Sequence, residues 1–208
     1  MNKASRIINK TIADYNLIAH KFSSTRAKLS QDLISLAKKA GESDQILDYG
    51  CGNGRLCRLF DPEHYLGLDA SGELIKIAQD QNPGYIFKLI KPCEVPKENK
   101  YDVIFCLAMI HHLPDYTTQS RLLSDFADII NPKGRLILTA WQLDESNSIV
   151  SKSFTSGDLT IQRQIFSFSQ KNLETLVKSA GLKIISSKIL PRNRGVYSNL
   201  EIIAQKLS

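Results

Sequence analysis

The nine residues Ile-Leu-Asp-Tyr-Gly-Cys-Gly-Asn-Gly at positions 46–54 decide the fold. A short apolar strand over 46–50 runs directly into three glycines at alternate positions, and a helix is predicted to follow over 54–60. Glycine suits such a loop because the backbone turns sharply and approaches a ligand where a Cβ atom would interfere. The stretch therefore predicts a ligand crevice at the carboxyl end of a parallel sheet, at its switch point.

Two carboxylates beside this loop indicate the kind of ligand. The spacing G-x-G-x-G differs from the G-x-G-x-x-G of dinucleotide sites, which weakens a dinucleotide interpretation. Asp48 would repel a pyrophosphate, whereas it suits a ligand that bears an ammonium or sulfonium group. Asp69 ends the next predicted strand, fifteen residues after Gly54, where a carboxylate can accept both hydroxyls of an adenosine ribose. A plain strand–helix turn with a surface aspartate is the weaker alternative.

Strand and helix patterns alternate through the middle of the chain. The segment 101–110 is apolar on consecutive residues, as expected of a strand buried on both faces. The alternation predicts right-handed βαβ units, hence a parallel sheet with helices on both faces. Residues 182–190 and 198–206 predict a closing antiparallel pair of strands, joined across 191–195. The other predicted elements are strands 65–69, 85–90 and 135–141, helices 73–80, 117–130 and 171–180, and a turn over 131–134.

Two segments lie outside this alternation. Apolar stripes predict helices over 5–21 and 27–40, and we expect residues 1–43 to form part of the substrate side. Residues 142–168 are largely polar and Ser-rich, which predicts an inserted loop or lid over the active face. The composition changes nowhere in the manner of a linker, so residues 1–208 are expected to form a single domain.

Composition excludes several classes of protein. The chain of 208 residues is 42% hydrophobic and 23% charged, which is typical of one globular domain and excludes overall disorder. The longest apolar run, 103–110, is too short to cross a membrane, and the first ten residues lack the apolar stretch of a secretory signal. We therefore expect a cytoplasmic protein with no membrane partner.

The cysteines and histidines do not predict a metal site. No two cysteines form a Cys-x-x-Cys pair, and the adjacent His111 and His112 have no clustered ligands beside them in the sequence. A packing or backbone-capping role is favoured for His111. Four thiols are expected to be reduced: Cys51, Cys57, Cys93 and Cys106.

The charge distribution is more informative than the total of +6. Residues 1–40 carry a net charge of +6 and residues 183–208 a net charge of +4, whereas residues 41–182 carry −4. If both ends lay on one face, that face would favour a polyanion such as RNA. Ordinary solvated faces of helices and strands are the alternative, and charge alone favours that alternative.

The glycine loop, with Asp48 before it and Asp69 after it, resembles that of the class I S-adenosylmethionine-dependent methyltransferases. The resemblance implies a Rossmann-like fold with a seven-stranded, mostly parallel sheet whose last strand is antiparallel. It also implies that Asp48 and the loop hold the methionine part of S-adenosylmethionine and that Asp69 holds the ribose. The full candidate cofactor-binding set is Asp48, Gly50, Cys51, Gly52, Asn53, Gly54, Asp69, Ala70, Ser71, Cys93 and Leu107.

One feature of the class is missing. Many members carry an acidic residue after the third strand that contacts the adenine amino group, whereas Lys91 and Cys93 occupy this region here. Either Glu94 replaces the acidic residue or backbone groups hold the adenine.

Two further segments resemble the tRNA wobble-uridine carboxymethyl methyltransferases. They are Tyr15–Arg26, of the pattern Y-x-x-I-A-x-x-F-S-x-T-R, and Ala108–Pro114, which contains Ile-His-His. Trp141 and the segment 163–168 also fit that family, whereas residues 27–29 lack its usual aromatic side chain. The resemblance implies tRNA as the substrate and a small zinc-binding activator subunit as a partner.

The acceptor that this resemblance implies is the carboxymethyl group of the wobble uridine, and its chemistry points to two candidate catalytic residues. A carboxylate is already ionised at pH 7, so its methylation needs orientation more than a strong base. Arg26 could grip a carboxylate or phosphate through its planar fork. His112 could donate a hydrogen bond to the acceptor or act as a base for a hydroxyl substrate. An enzyme acting on a small metabolite and a non-catalytic cofactor-binding subunit remain the alternative functions.

Overall fold

A computed structural model describes residues 2–156, 159–191 and 197–207. Within them, seven strands form one sheet and two form a separate hairpin. The strands are β1 (Ile46–Tyr49), β2 (Tyr65–Asp69), β3 (Ile86–Leu89), β4 (Tyr101–Leu107), β5 (Ile130–Gln142), β6 (Ile149–Ser156), β7 (Leu159–Phe166), β8 (Leu182–Pro191) and β9 (Ser198–Lys206).

The large sheet has the order β3-β2-β1-β4-β5-β9-β8. Strands β1 to β5 pair in parallel, and β9 is antiparallel to both of its neighbours. The predicted seven-stranded sheet with an antiparallel last strand is therefore confirmed. The chain winds outward from β1 to β3, then returns to place β4 on the other side of β1. This reversal opens a crevice at the carboxyl ends of β1 and β4, where ligands bind in open α/β sheets.

Helices cover both faces of the sheet. They are α1 (Lys3–Ser24), α2 (Gln31–Ala37), α3 (Gly72–Gln81), α4 (Tyr116–Ile129) and α5 (Gln170–Ser179). Each begins at an Asn, Ser or Asp whose side chain accepts a hydrogen bond from a first-turn amide. One buried cluster joins α4 and α5 to the sheet and a second joins α2 and α3. Successive residues of β1 alternate between them, Ile46 in one and Leu47 in the other.

Several predicted boundaries are wrong. The helix expected over 54–60 is a 3₁₀ helix, Arg55–Leu59, because the next residues are Phe60, Asp61 and Pro62, which leave too little length for an α-helix. The helix expected over 27–40 is only Gln31–Ala37. Strand β4 ends at Leu107 because Ala108 has φ +54° and leads into a 3₁₀ turn. The turn expected over 131–134 belongs to β5, where the register to β4 shifts.

The inserted loop predicted over 142–168 is wrong in its secondary structure. Residues 149–166 contain the antiparallel pair β6–β7, which we call the hairpin. Ile161, Arg163 and Ile165 are buried while the residues between them are exposed, so only one face of β7 packs inward. The polar side chains of the other face gave the segment its loop-like composition. Gly157 and residues 192–195 of the predicted 191–195 connection lie outside the described residues.

No helix in 2–156, 159–191 or 197–207 is long and apolar enough to cross a membrane. Over the same ranges, no group of three or more His, Cys, Asp or Glu side chains is placed to hold a metal ion.

Candidate active site

A cavity of about 370 Å³ lies at the carboxyl ends of β1, β2 and β4. Helix α1 and the hairpin supply further walls. Eleven of the thirteen candidate site residues line it: Arg26, Asp48, Gly50, Cys51, Gly52, Asn53, Asp69, Ala70, Cys93, Leu107 and His112.

The other two candidates, Gly54 and Ser71, do not line the cavity. Gly54 has φ +74°, and a Cβ atom there would lie 2.7 Å from the Phe87 ring, so the backbone conformation and the packing both require glycine. Ser71 caps α3 by accepting from the Leu74 amide, and its hydroxyl donates to Asn16 Oδ1. Both residues shape the site from outside the cavity.

Asp69 is held in place by backbone amides. Its Oδ2 accepts from the Gly52 amide at 2.9 Å and its Oδ1 from the Ser71 amide at 2.8 Å. Burial raises the pKa of this carboxyl, while the amide hydrogen bonds from Ser71 and Gly52 oppose that rise. A carboxylate has about four acceptor positions, so the amide hydrogen bonds do not use all of them and ribose hydroxyls can still donate to it.

Asp48 is almost fully enclosed, with 3% of its surface exposed. The Tyr65 hydroxyl donates to its Oδ2 at 2.6 Å. Burial raises its pKa to about 7, although the Tyr65 hydrogen bond acts in the opposite direction. A cationic group bound nearby would favour the ionised form.

The region after β3 bears on how an adenine could be held. Glu94 is exposed and accepts from the Lys91 amide at 2.8 Å, so its carboxylate closes a local turn and does not line the cavity. Ile90, Pro92 and Cys93 line the cavity instead. Of the two alternatives left open by the sequence, this arrangement favours backbone and apolar contacts.

His112 is buried against helix α1. Its Nε2 is 3.0 Å from the Tyr15 hydroxyl, and its Nδ1 has no hydrogen-bond partner among the described residues. Burial, followed by the charge of Arg163, lowers its pKa to about 3. The imidazole is therefore neutral at pH 7 and a weak base, so the base role considered for His112 is not supported. A neutral imidazole still donates or accepts a hydrogen bond.

His111 does not reach the cavity. Its Nδ1 accepts from the Trp141 amide at 3.3 Å, and its ring stacks on Trp141 with 4.6 Å between centroids. Burial lowers its pKa well below the usual range. These contacts agree with the packing and capping role favoured for this residue.

Arg26 lines the cavity just after the end of α1. Its guanidinium lies 4.0 Å from the centre of the Phe22 ring, and Nη1 donates to Thr25 Oγ1 at 3.1 Å. The side chain is half-buried. Nearby, Asn53 Nδ2 donates to Ser23 Oγ at 3.0 Å, which ties the glycine loop to the same end of α1.

Sequence reasoning missed two residues that the structure brings into the cavity, Tyr15 and Arg163. The Tyr15 hydroxyl contacts His112, and burial raises the pKa of Tyr15. Arg163 lies on β7 with its guanidinium carbon 4.2 Å from the centre of the Tyr15 ring. The available signal was the alternation Ile161, Arg163, Ile165, which places an arginine on an inward-facing apolar stripe.

Fold and site together define a class I S-adenosylmethionine-dependent methyltransferase. A family model described as a methyltransferase domain matches residues 22–187, and the chain belongs to this family. Among solved structures, an S-adenosylmethionine-dependent methyltransferase from Methanosarcina mazei aligns with a TM-score of 0.68 and 20% identity. The alignment covers 86% of this chain and 99% of that one. This likeness supports the fold.

Curated relatives share a narrower description. The tRNA (carboxymethyluridine(34)-5-O)-methyltransferase of Arabidopsis thaliana is 28% identical over 140 residues, 66% of this chain and 34% of the relative. The protein of the same name from Saccharomyces cerevisiae is 26% identical over 135 residues, 64% of this chain and 48% of the relative. The chain thus spans about a third to a half of the length of these two relatives.

Proposed function

We propose that this chain uses S-adenosylmethionine to methylate the carboxymethyl group of a wobble uridine in tRNA. The observation that carries the proposal is the division of charge in the cavity. Its two carboxylates, Asp48 and Asp69, belong to the ends of β1 and β2, and one cation, Arg55, lines the cavity on the same side, directly after the glycine loop. Among the described residues of α1, the turn after it and the hairpin, the cavity lining includes Lys21, Arg26 and Arg163 and no carboxylate.

The acidic side suits the cofactor. S-adenosylmethionine, when bound, supplies a methyl group on a cationic sulfonium. Asp48 would sit beside the charged methionine part, and Asp69 would accept the ribose hydroxyls through the positions that its amide bonds leave open. The glycine loop lets the backbone approach without Cβ atoms in the way.

The basic side suits an anionic acceptor. A carboxylate is ionised at pH 7, so its oxygen can bond to the methyl carbon as the carbon–sulfur bond breaks and sulfur keeps the electron pair. No proton is transferred in this step. A neutral His112 with a pKa of about 3 is compatible with it, whereas a hydroxyl acceptor would need a base. What the chain contributes is positioning and the exclusion of water.

Support for tRNA comes from similarity to known proteins and from the charge at the two ends of the chain. The relatives described above carry names that specify carboxymethyluridine at position 34 of tRNA. The segments Tyr15–Arg26 and Ala108–Pro114 resemble that family, and in the structure both reach the cavity through Tyr15, Arg26 and His112. The net charges of +6 and +4 at the two ends of the chain suit a polyanion. A small zinc-binding activator subunit and a cytoplasmic location belong to the same proposal.

The test is methyl transfer from radiolabelled S-adenosylmethionine to tRNA from cells that lack this enzyme. The protein is assayed with and without a candidate activator subunit, and Asp69→Ala serves as the control deficient in cofactor binding. We expect label in tRNA that mild alkali releases, because a methyl ester is hydrolysed under those conditions. Alkali-stable label would contradict the carboxymethyl acceptor. No label despite cofactor binding would favour a small-metabolite substrate or a non-catalytic subunit.

A further inference from the structure

Arg163 is an unusually placed cation. It lies on β7 directly opposite Lys152 of β6, and only 4% of its surface is exposed. Two aromatic rings contact its guanidinium, Tyr15 at 4.2 Å and Phe154 at 4.6 Å from ring centre to guanidinium carbon. The side chain also lines the cavity beside His112. Arg163 is therefore a permanent charge held at the inner wall of the site.

The charge is not neutralised by the part of the chain that the structure describes. None of the ion pairs there includes Arg163, and its buried Nε has no hydrogen-bond partner. Removing an arginine from water is costly unless an anion and further hydrogen bonds compensate. Contact with the aromatic rings and a hydrogen bond with the Tyr15 side chain supply part of that compensation, but neither gives an acceptor to the buried Nε–H. The arrangement indicates that the anionic partner of Arg163 is a bound ligand and not a side chain of the described chain.

The shape of the guanidinium narrows the kind of anion. The two rings lie against the faces of the planar guanidinium, so the N–H groups at its edges, other than the one bonded to Tyr15, can make in-plane hydrogen bonds to a ligand. Two parallel N–H groups match the two oxygens of a carboxylate. His112 cannot supply a second charge, because it is neutral at pH 7.

We propose that Arg163 binds the carboxylate of the acceptor and turns one oxygen toward the methyl donor. This inference rests on the proposed function and assigns the acceptor-binding role to a residue other than Arg26. The reaction converts the carboxylate to a neutral methyl ester. Arg163 therefore loses its counter-charge when the carbon–oxygen bond forms, and the ester is bound less tightly than the acid.

The test compares two synthetic anticodon stem-loops that differ in one group. One carries 5-carboxymethyluridine at position 34, and the other carries the uncharged amide, 5-carbamoylmethyluridine. Binding of both is measured with the full chain, together with its activator if one is required. The wild type is expected to prefer the acid by about ten- to a hundredfold, which is the range of a charge-assisted hydrogen-bonded pair. Arg163→Gln is expected to bind the two equally, with S-adenosylmethionine affinity unchanged.

Two more variants separate this role from a structural one. Arg163→Lys keeps the charge but loses the fork, so it should retain part of the preference and raise KM more than it lowers kcat. Lys152→Gln removes one charge from the same hairpin at a residue that does not line the cavity, and it should keep the full preference. If Arg163→Gln does not fold, the role of Arg163 is judged from Arg163→Lys alone, by its partial loss of preference for the acid and its raised KM.

The outcomes distinguish this inference from the proposed function. A full preference for the acid in either Arg163 variant, or no preference in the wild type, would overturn the role of Arg163. If the wild type prefers the acid and Arg163→Gln does not, the role stands. In that case, a failure to find alkali-labile radiolabel in tRNA in the methyl-transfer assay would count against the proposed function and not against the role of Arg163.

Discussion

Replacing Asp48 by asparagine is expected to change the pH dependence of folding. The carboxyl group is 3% exposed, and burial is the main reason that its pKa rises from 3.8 to about 7. Asparagine has nearly the same shape, and its Oδ1 can still accept from the Tyr65 hydroxyl that bonds Asp48 at 2.6 Å. The substitution therefore removes the ionisation and leaves the packing almost intact.

The size of the effect follows from linkage. Because the pKa of Asp48 is higher in the folded state, its protonated form stabilises the fold fully below about pH 4. This stabilisation declines as the pH rises and is lost at about pH 7. A rise from 3.8 to about 7 corresponds to about 4 kcal/mol. Relative to the wild type, Asp48→Asn should gain about this much free energy of unfolding between pH 4 and pH 8.

The assay is urea unfolding of both proteins, without cofactor, at intervals from pH 4 to pH 8.5. The free energy of unfolding of the wild type is subtracted from that of the variant at each pH. This subtraction cancels the contribution of the other titrating groups, which both proteins share. Asp80→Asn, at an exposed position of α3 outside the cavity, is the control for the loss of a carboxylate. A flat difference for Asp48→Asn would refute the reasoning, since it would mean that Asp48 ionises equally easily in the folded and unfolded chains.

Three further substitutions test the site and the loop. Asp69→Ala should weaken S-adenosylmethionine binding, measured by calorimetry, while the protein stays folded, because the substitution deletes the carboxylate that we propose as the acceptor for the ribose hydroxyls; unchanged affinity would contradict that role. Arg26→Ala should lower methyl transfer to tRNA but leave cofactor affinity intact; if both fall together, Arg26 is structural. Gly54→Ala should destabilise the fold by about 2–4 kcal/mol in urea, because φ is +74° and the new Cβ would lie 2.7 Å from Phe87. Gly84→Ala, at a position with positive φ but open space around it, should lose less free energy of unfolding than Gly54→Ala.

Much of the fold could be predicted because it depends on local patterns. Buried strands such as β4 are apolar on consecutive residues, and the helices between strands show apolar stripes and polar caps. The hairpin could not be predicted in this way, because only one face of it is buried and its other face is rich in Ser, Thr and Gln. A polar composition predicts a loop unless its alternation is counted residue by residue.

The site was predictable where its residues lie at strand ends or in motifs that resemble a known family. The glycine loop, Asp48 and Asp69 follow from strand ends, so the cavity around them could be expected. The contact between Tyr15 and His112 joins residues 97 positions apart, and Arg163 reaches Tyr15 from the hairpin. No local pattern encodes such a meeting. The pKa of His112, about 3, is a further property of the folded chain, since burial is its main cause.

The electrostatics of the cavity favour an acceptor that arrives already ionised. Burial and the charge of Arg163 keep His112 neutral, so His112 accepts a proton poorly. The same Arg163 charge would hold a carboxylate and lower its tendency to take up a proton. A hydroxyl acceptor would have to lose a proton here to a base as weak as His112, whereas a carboxylate needs only orientation. The arrangement that makes His112 a poor base is thus the arrangement that suits methyl ester formation.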